Sequence, residues 1–230
     1  HPFAEADSGS TDVLPLSEDF RNYTVMSYTD PDNASTYNAS SEYQYLISST
    51  PMVYDIAAIQ HLYGAAVNNS GDSAFSYNPD QPFVESIWDS SGNDTLDLSN
   101  FAESCTISLV PGTYSTIACD GWTMTDNLGI AHGTIIENVN AGAGNDTILG
   151  NEEGNIINGG NGSDILTGGL GIDTFKFSSN FGSDIITDFS LVQDKLTFVD
   201  DTGLEIDSLV LTESNNDAGD VVLTVPNGSS

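Results

Sequence analysis

The 230-residue chain carries 34 Asp and Glu against 3 Lys and Arg, a formal net charge of −31. Such a polyanion repels DNA, RNA and anionic membrane surfaces, and no apolar run reaches the about 18 residues that a membrane span needs. With 38% hydrophobic residues the chain can build a core, so its carboxylates divide between ligands for a hard divalent cation and a solvated acidic surface, and both are expected.

The chain begins at His1-Pro2 rather than at Met and ends on PNGSS at 226–230, which reads as a piece of a longer polypeptide whose terminal signals carry no information. Thr24-Val25-Met26-Ser27-Tyr28 follows. Residues 1–64 are expected to be irregular until one helix, 51–63. Thr50 is its expected cap, Pro51 its first residue, Met52, Val53, Ile56, Ile59 and Tyr63 its apolar spacing, and Gly64 its stop. His61, in the last turn, is expected to pack and to favour the helix end rather than to bind metal. Beyond, many short alternating runs predict a mainly β architecture from about residue 79 onward.

Trp88-Asp89-Ser90-Ser91-Gly92-Asn93-Asp94-Thr95-Leu96-Asp97 is a lone degenerate copy of a glycine- and aspartate-rich repeat, with Asp89 and Asp94 as candidate calcium ligands. Cys105 and Cys119 flank two β-rich runs around a Pro111-Gly112 turn. Either a hairpin disulfide or two buried thiols fits that spacing. His132 has no motif-level partner, and there is no nucleophile elbow.

From 141 the chain falls into four nine-residue lines: AGAGNDTIL (141–149), GNEEGNIIN (150–158), GGNGSDILT (159–167) and GGLGIDTFK (168–176). G-G-x-G-x-D-x-U-x, with U a large apolar residue, is the calcium-binding nonapeptide of parallel β-helices. The last two lines fit it throughout and the first departs only at Ala141, while the second has Asn151, Glu153 and Asn155 at the second, fourth and sixth positions. Positions one to six predict a tight turn whose carbonyls and sixth-position carboxylate face a neighbouring turn. Positions seven to nine predict a strand whose eighth residue (Ile148, Ile157, Leu166, Phe175) points inward. Two lines make one coil, so Asp146 should stack with Asp164, and Asn155, as a weaker neutral donor, with Asp173. Gly142, Gly144, Gly160, Gly162, Gly169 and Gly171 are the expected turn glycines of these calcium sites. Residues 182–198 are expected to form a capping hairpin, with Asp184 and Asp188 closing the last sites, and two more strands are expected at 209–212 and 221–225.

Taken in order, His1-Pro2, TVMSY at 24–28, DIAAIQHLYGA at 55–65, W-D-x-x-G-N-D-T at 88–95, Ile135-Ile136-Glu137-Asn138 and the repeats resemble the C-terminal portion of the serralysin family. These are secreted, calcium-dependent zinc endopeptidases of the metzincin clan, whose signature is H-E-x-x-H-x-x-G-x-x-H followed by a methionine turn. The resemblance implies a parallel β-roll or β-sandwich domain over 67–230, preceded over 1–66 by the remnant of an α+β protease domain. It also implies His1 as the third zinc ligand, Met26 as the floor beneath the zinc histidines, and Tyr28 as the residue that approaches zinc and stabilises the oxyanion. The implied cofactors are one Zn²⁺ and several Ca²⁺. The implied partners are protein substrates and an ABC-type type I secretion exporter, for an extracellular monomer. The two earlier histidines and the glutamate base are absent from these 230 residues, so the parent is expected to be a protease and this chain alone inert. The alternative is a non-enzymatic exported calcium module, an adhesin or surface-layer protein, from which the Met-turn and the 55–65 helix distinguish the protease reading.

Overall fold

The computed structural model describes residues 23–25, 46–178 and 180–199 in full, and the backbone of 35–37, 43–45, 210–213 and 221–224. His1, Met26 and Tyr28 lie outside the described residues. One helix is present among them, and the rest is β. Strands β1 (Ser35–Tyr37) and β2 (Tyr43–Tyr45) pair antiparallel, in a region expected to be irregular.

Helix α1 (Val53–Tyr63) begins two residues later than expected. Its N-terminus is held by Asp55, whose carboxylate accepts the N–H of Met52 (2.8 Å), the N–H of Val25 (2.8 Å) and the hydroxyl of Thr24 (2.5 Å). Thr50 is not the cap; its hydroxyl accepts the N–H of Ser86 (2.8 Å). Gly64, at φ 83°, ends the helix as expected and returns its N–H to the carbonyl of Gln60. Only Met52, Val53 and Ile56 are buried, whereas Ile59, Tyr63 and His61 are exposed, so His61 sits at the helix end without packing.

Fifteen further strands follow: β3 (Ala74–Ser76), β4 (Glu85–Ile87), β5 (Thr95–Asp97), β6 (Thr106–Ser108), β7 (Tyr114–Ser115), β8 (Leu128–Ile130), β9 (Asn138–Asn140), β10 (Thr147–Leu149), β11 (Ile156–Asn158), β12 (Ile165–Thr167), β13 (Thr174–Phe177), β14 (Ser183–Ile186), β15 (Lys195–Phe198), β16 (Val210–Glu213) and β17 (Val221–Thr224). Two six-stranded sheets carry the roll, in the orders β16-β17-β14-β12-β10-β6 and β15-β13-β11-β9-β5-β3. Successive nonapeptides alternate between them, so β10 pairs in parallel with β12 and β11 with β13. The register Ile148↔Leu166 and Ile157↔Phe175 is the two-line spacing expected from the repeats. Parallel pairing of strands this short is stable because each strand sends its middle residue into a shared core. Ile107, Ile148, Leu166 and Ile186 fill it from one sheet, and Leu96, Val139, Ile157 and Phe175 from the other, all at most 1% exposed.

The degenerate copy at 88–97 is a full member of the roll: β5 pairs with β3 and β9, and Leu96 is an inward residue. A small sheet, β4-β8-β7, receives helix α1 at the first coils. Gly129 in β8 is required there, because a Cβ would lie 2.6 Å from Cγ2 of Val53 and 2.7 Å from Oγ of Ser86.

Residues 182–198 do not form a hairpin. β14 pairs in parallel with β12 and β15 with β13, so this stretch is one more coil of the roll. Its turns are longer than the nonapeptide turns, which hid the period, and Phe177, Phe181 and Phe198 pack beside it with ring centroids 4.9–6.3 Å apart. β17 then adds antiparallel to β14, and β16, antiparallel to β17, finishes that sheet, matching the two expected last strands.

The runs flanking Pro111-Gly112 meet through one antiparallel bridge, Thr106 with Thr116, while β6 joins the roll and β7 joins β8. Cys105 and Cys119 are both buried free thiols.

Candidate metal sites

Strands β5, β9, β10, β12, β13 and β15 each follow a carboxylate residue, the sixth of its line, that points along the stack, and in β14 Asp184 takes that place inside the strand. In the first sheet the backbone N–H of Cys105 donates to Oδ1 of Asp146 (2.7 Å), that of Asp146 to Oδ1 of Asp164 (2.8 Å), and that of Asp164 to Oδ1 of Asp184 (2.9 Å). In the second, Ser73 donates to Asp94 (2.8 Å), Asp94 to Oε2 of Glu137 (2.7 Å), Asn155 to Asp173 (2.8 Å) and Asp173 to Asp194 (3.0 Å). The structure therefore stacks Asp146 on Asp164 and Asn155 on Asp173. It also adds Glu137 and Asp194 to the columns. Neither was singled out as a ligand, yet E-x-V at 137–139 and D-x-L at 194–196 carry the sixth- and eighth-position pattern.

Each ladder bond uses one carboxylate oxygen. The other, Oδ2 of Asp94, Asp146, Asp164 and Asp184, is buried with no hydrogen-bond partner. A buried anionic oxygen without a donor is costly, and native structures rarely leave one unanswered. Burial drives the carboxyls of Asp164 and Asp184 up to about 8 and about 7. For Asp164 the charges of Asp184 and Asp146 add to that rise. Burial also raises Asp94, Asp146 and Asp173, with Asp89 and Asp72 adding to the rise at Asp94. Positive side chains are few: Arg21 lies outside the described residues, and Lys176 and Lys195 are the only other Lys or Arg in the chain.

The turns supply neutral oxygens beside these carboxylates. Gly160 (φ 87°) and Gly162 (φ 142°) bring the backbone so close that a Cβ would lie 1.9 Å from the carbonyl oxygen of Gly142 and 2.0 Å from that of Gly144. Gly169 makes the same approach to the carbonyl of Asn151 and Gly171 to that of Glu153. Carboxylate and carbonyl oxygens without nitrogen or sulfur suit Ca²⁺, which takes six to eight hard oxygen ligands. Among the described residues no group of three or more His, Cys, Asp or Glu gathers around one point, so carbonyls must complete any such shell.

Two further candidates have their oxygens engaged. Asp89 is buried and accepts the N–H of Ser91 (3.0 Å) and the hydroxyl of Ser73 (3.1 Å), which brings it beside Asp94. Exposed Asp188 accepts the N–H groups of Gly168 and Gly169, both at 2.8 Å, and so anchors the fourth repeat turn with both oxygens.

The family described as peptidase M10 serralysin C terminal matches residues 53–225. The chain is 37% identical over 153 residues to the metallopeptidase AprA of Pseudomonas marginalis, covering 61% of this chain and 31% of that protein. It is 34% identical over 154 residues to serralysin of Proteus mirabilis (61% and 30%), and 35% identical over 167 residues to serralysin B of Dickeya chrysanthemi (65% and 33%). It thus spans about a third of the length of these relatives. A roll of stacked nonapeptides with one helix packed at its first coils, matched from that helix to the last strand, identifies the chain as a member of the serralysin C-terminal family.

Proposed function

We propose that this chain is the calcium-binding C-terminal portion of a secreted zinc metalloendopeptidase. The observation that carries the calcium reading is the row of buried, unpartnered oxygens on Asp146, Asp164 and Asp184, next to backbone carbonyls in a chain with 3 Lys and Arg against 34 Asp and Glu. Asp146, Asp164 and Asp184 would hold ions between turns of one column. Asp94 with Glu137 and Asp89, and Asp173 with Asp194, would do so in the other. The ions supply the positive charge that the sequence lacks. The protein supplies a stack of turns that fixes the oxygens and excludes water from them.

The peptidase reading rests on the family, on relatives named serralysin and metallopeptidase, and on His1, Met26 and Tyr28 in their motif contexts. In this reading residues 1–66 end the protease domain and 67–230 form the roll. His1 ligates zinc, the Met26 turn supports the zinc histidines and Tyr28 steadies the oxyanion. Substrates are extracellular proteins, and a type I exporter carries the chain out before calcium folds it. The 230 residues contain no H-E-x-x-H, so by themselves they should not hydrolyse casein. Expressed with its upstream segment, the protein should cleave casein until a zinc chelator is added, and His1→Ala should abolish that activity. A full-length protein without H-E-x-x-H and without proteolysis would leave the calcium module alone standing. Calcium binding is tested separately by thermal unfolding of the chain in calcium and in a chelator, and equal midpoints would refute it.

A further inference from the structure

One rung of the second column breaks the rule that the others follow. At every other described step the sixth-position side chain accepts the N–H of the sixth residue one coil earlier. At the step from Glu137 to Asn155 it does not. Asn155, 1% exposed, turns its Oδ1 back to the N–H of Asn151 in its own turn (2.8 Å). Its Nδ2 donates to the carbonyls of Glu137 (3.1 Å) and Ile136 (3.4 Å) one coil earlier. Asn151, at the second position, adds its own Nδ2 to the carbonyls of Ile136 (2.8 Å) and Leu109 (3.3 Å), while its Oδ1 accepts the N–H of Glu153 (2.9 Å).

The orientation of the Asn155 amide is dictated by its neighbours. A flipped amide would set NH₂ against the Asn151 N–H and oxygen against two carbonyl oxygens. Nor is any oxygen orphaned here, whereas Asp94, Asp146, Asp164 and Asp184 each keep a buried Oδ2 without a partner.

We infer that the rung between turns 132–137 and 150–155 is closed without a cation, by the amides of Asn155 and Asn151. At Asp94, Asp146, Asp164 and Asp184 a carboxylate answers an N–H and leaves its second oxygen, with nearby carbonyls, to a positive ion. The amide does both jobs as one neutral dipole: oxygen to the N–H, hydrogens to the carbonyls. Two of the three substitutions that make GNEEGNIIN look like a decayed repeat, Asn151 and Asn155, thus replace both the ligand and the ion. In consequence the coils at 73–140 and the repeats that follow are joined at this rung whether or not calcium is present.

The inference rests on the calcium reading of the other rungs, and one experiment separates the two. Bound calcium is counted by equilibrium dialysis at pH 8 on the full chain and on N155A, N155D and D164A. Apo stability is followed by thermal unfolding in chelator. N155A should keep the wild-type ion count and melt lower in chelator. N155D sets a carboxylate against two carbonyls, so it should also melt lower in chelator and should bind one additional ion. D164A should lose at least one ion. A lost ion in N155A, or an unchanged count in N155D, overturns the inference while leaving the calcium reading intact. An unchanged count in D164A overturns the calcium reading itself. Should N155A fail to fold even in calcium, the N155D count decides alone.

Discussion

Asp164 has an acidic neighbour on either side in its column, and burial with those charges pushes its carboxyl up to about 8. Asp164→Asn should therefore act in opposite directions in the two states. In calcium it removes a charged ligand and should lower the midpoint; in chelator it removes a buried anion and should raise it or leave it unchanged. A loss of equal size in both would mean that the side chain matters only for packing. The same groups set a pH dependence. Asp164 and, at about 7, Asp184 titrate above the unfolded value of about 4, so the calcium-free native state binds more protons than the unfolded state between these limits. Their stabilising contribution is complete below about pH 4 and is lost as pH rises to about 8. Melting in chelator should then become easier from pH 5 to 8, while apparent calcium affinity rises over that window as ions displace protons. These residues were legible in the sequence because their spacing is fixed by the strand pair that follows each turn. Asn155 was legible only as a position: that its amide points away from a ligand role depends on carbonyls of a turn eighteen residues earlier. Met26, Tyr28 and His1 rest on resemblance alone.

At the scale of the element, turns and caps make different demands on glycine. Gly64 closes α1 at φ 83° with nothing within 4 Å of a Cβ, so Gly64→Ala meets only backbone strain and should cost about 1 kcal/mol. Gly162 combines φ 142° with a carbonyl 2.0 Å from the Cβ position, so Gly162→Ala must also push two coils apart. It should cost several times as much and weaken calcium binding. Chemical denaturation of the two variants in calcium checks the contrast; equal costs would mean that the coils are not held in register at that turn. The nonapeptide lines forecast β10 to β13 closely because an apolar residue every ninth position has no other use. They forecast β14 and β15 as a hairpin because local alternation is common to both arrangements, and only the longer turns distinguish them. The start of α1 was misplaced for a related reason. Thr50 and Pro51 form a sound local start signal, but Ser86 claims the Thr50 hydroxyl and Asp55 caps instead.

For the whole molecule, a net charge of −31 leaves two physical sources of instability in the absence of calcium. One is repulsion across the solvated surface; the other is the set of buried carboxylates in the columns. Salt separates them, because at 1 M the Debye length falls to about 3 Å and surface repulsion is largely screened. Buried oxygens at most 2% exposed, such as those of Asp94, Asp146, Asp164 and Asp184, are beyond the reach of a diffuse ion atmosphere and need an ion in contact. If the columns govern folding, molar sodium chloride should raise the chelator midpoint by a few degrees. Millimolar calcium should raise it far more, with the transition becoming steeper as the coils fold together. N155D should need more calcium than wild type to reach the same midpoint, since it converts the amide-closed rung into one that depends on an ion. A midpoint in sodium chloride equal to that in calcium would assign the instability to the surface, and the carboxylate columns would then be buried for packing rather than for binding.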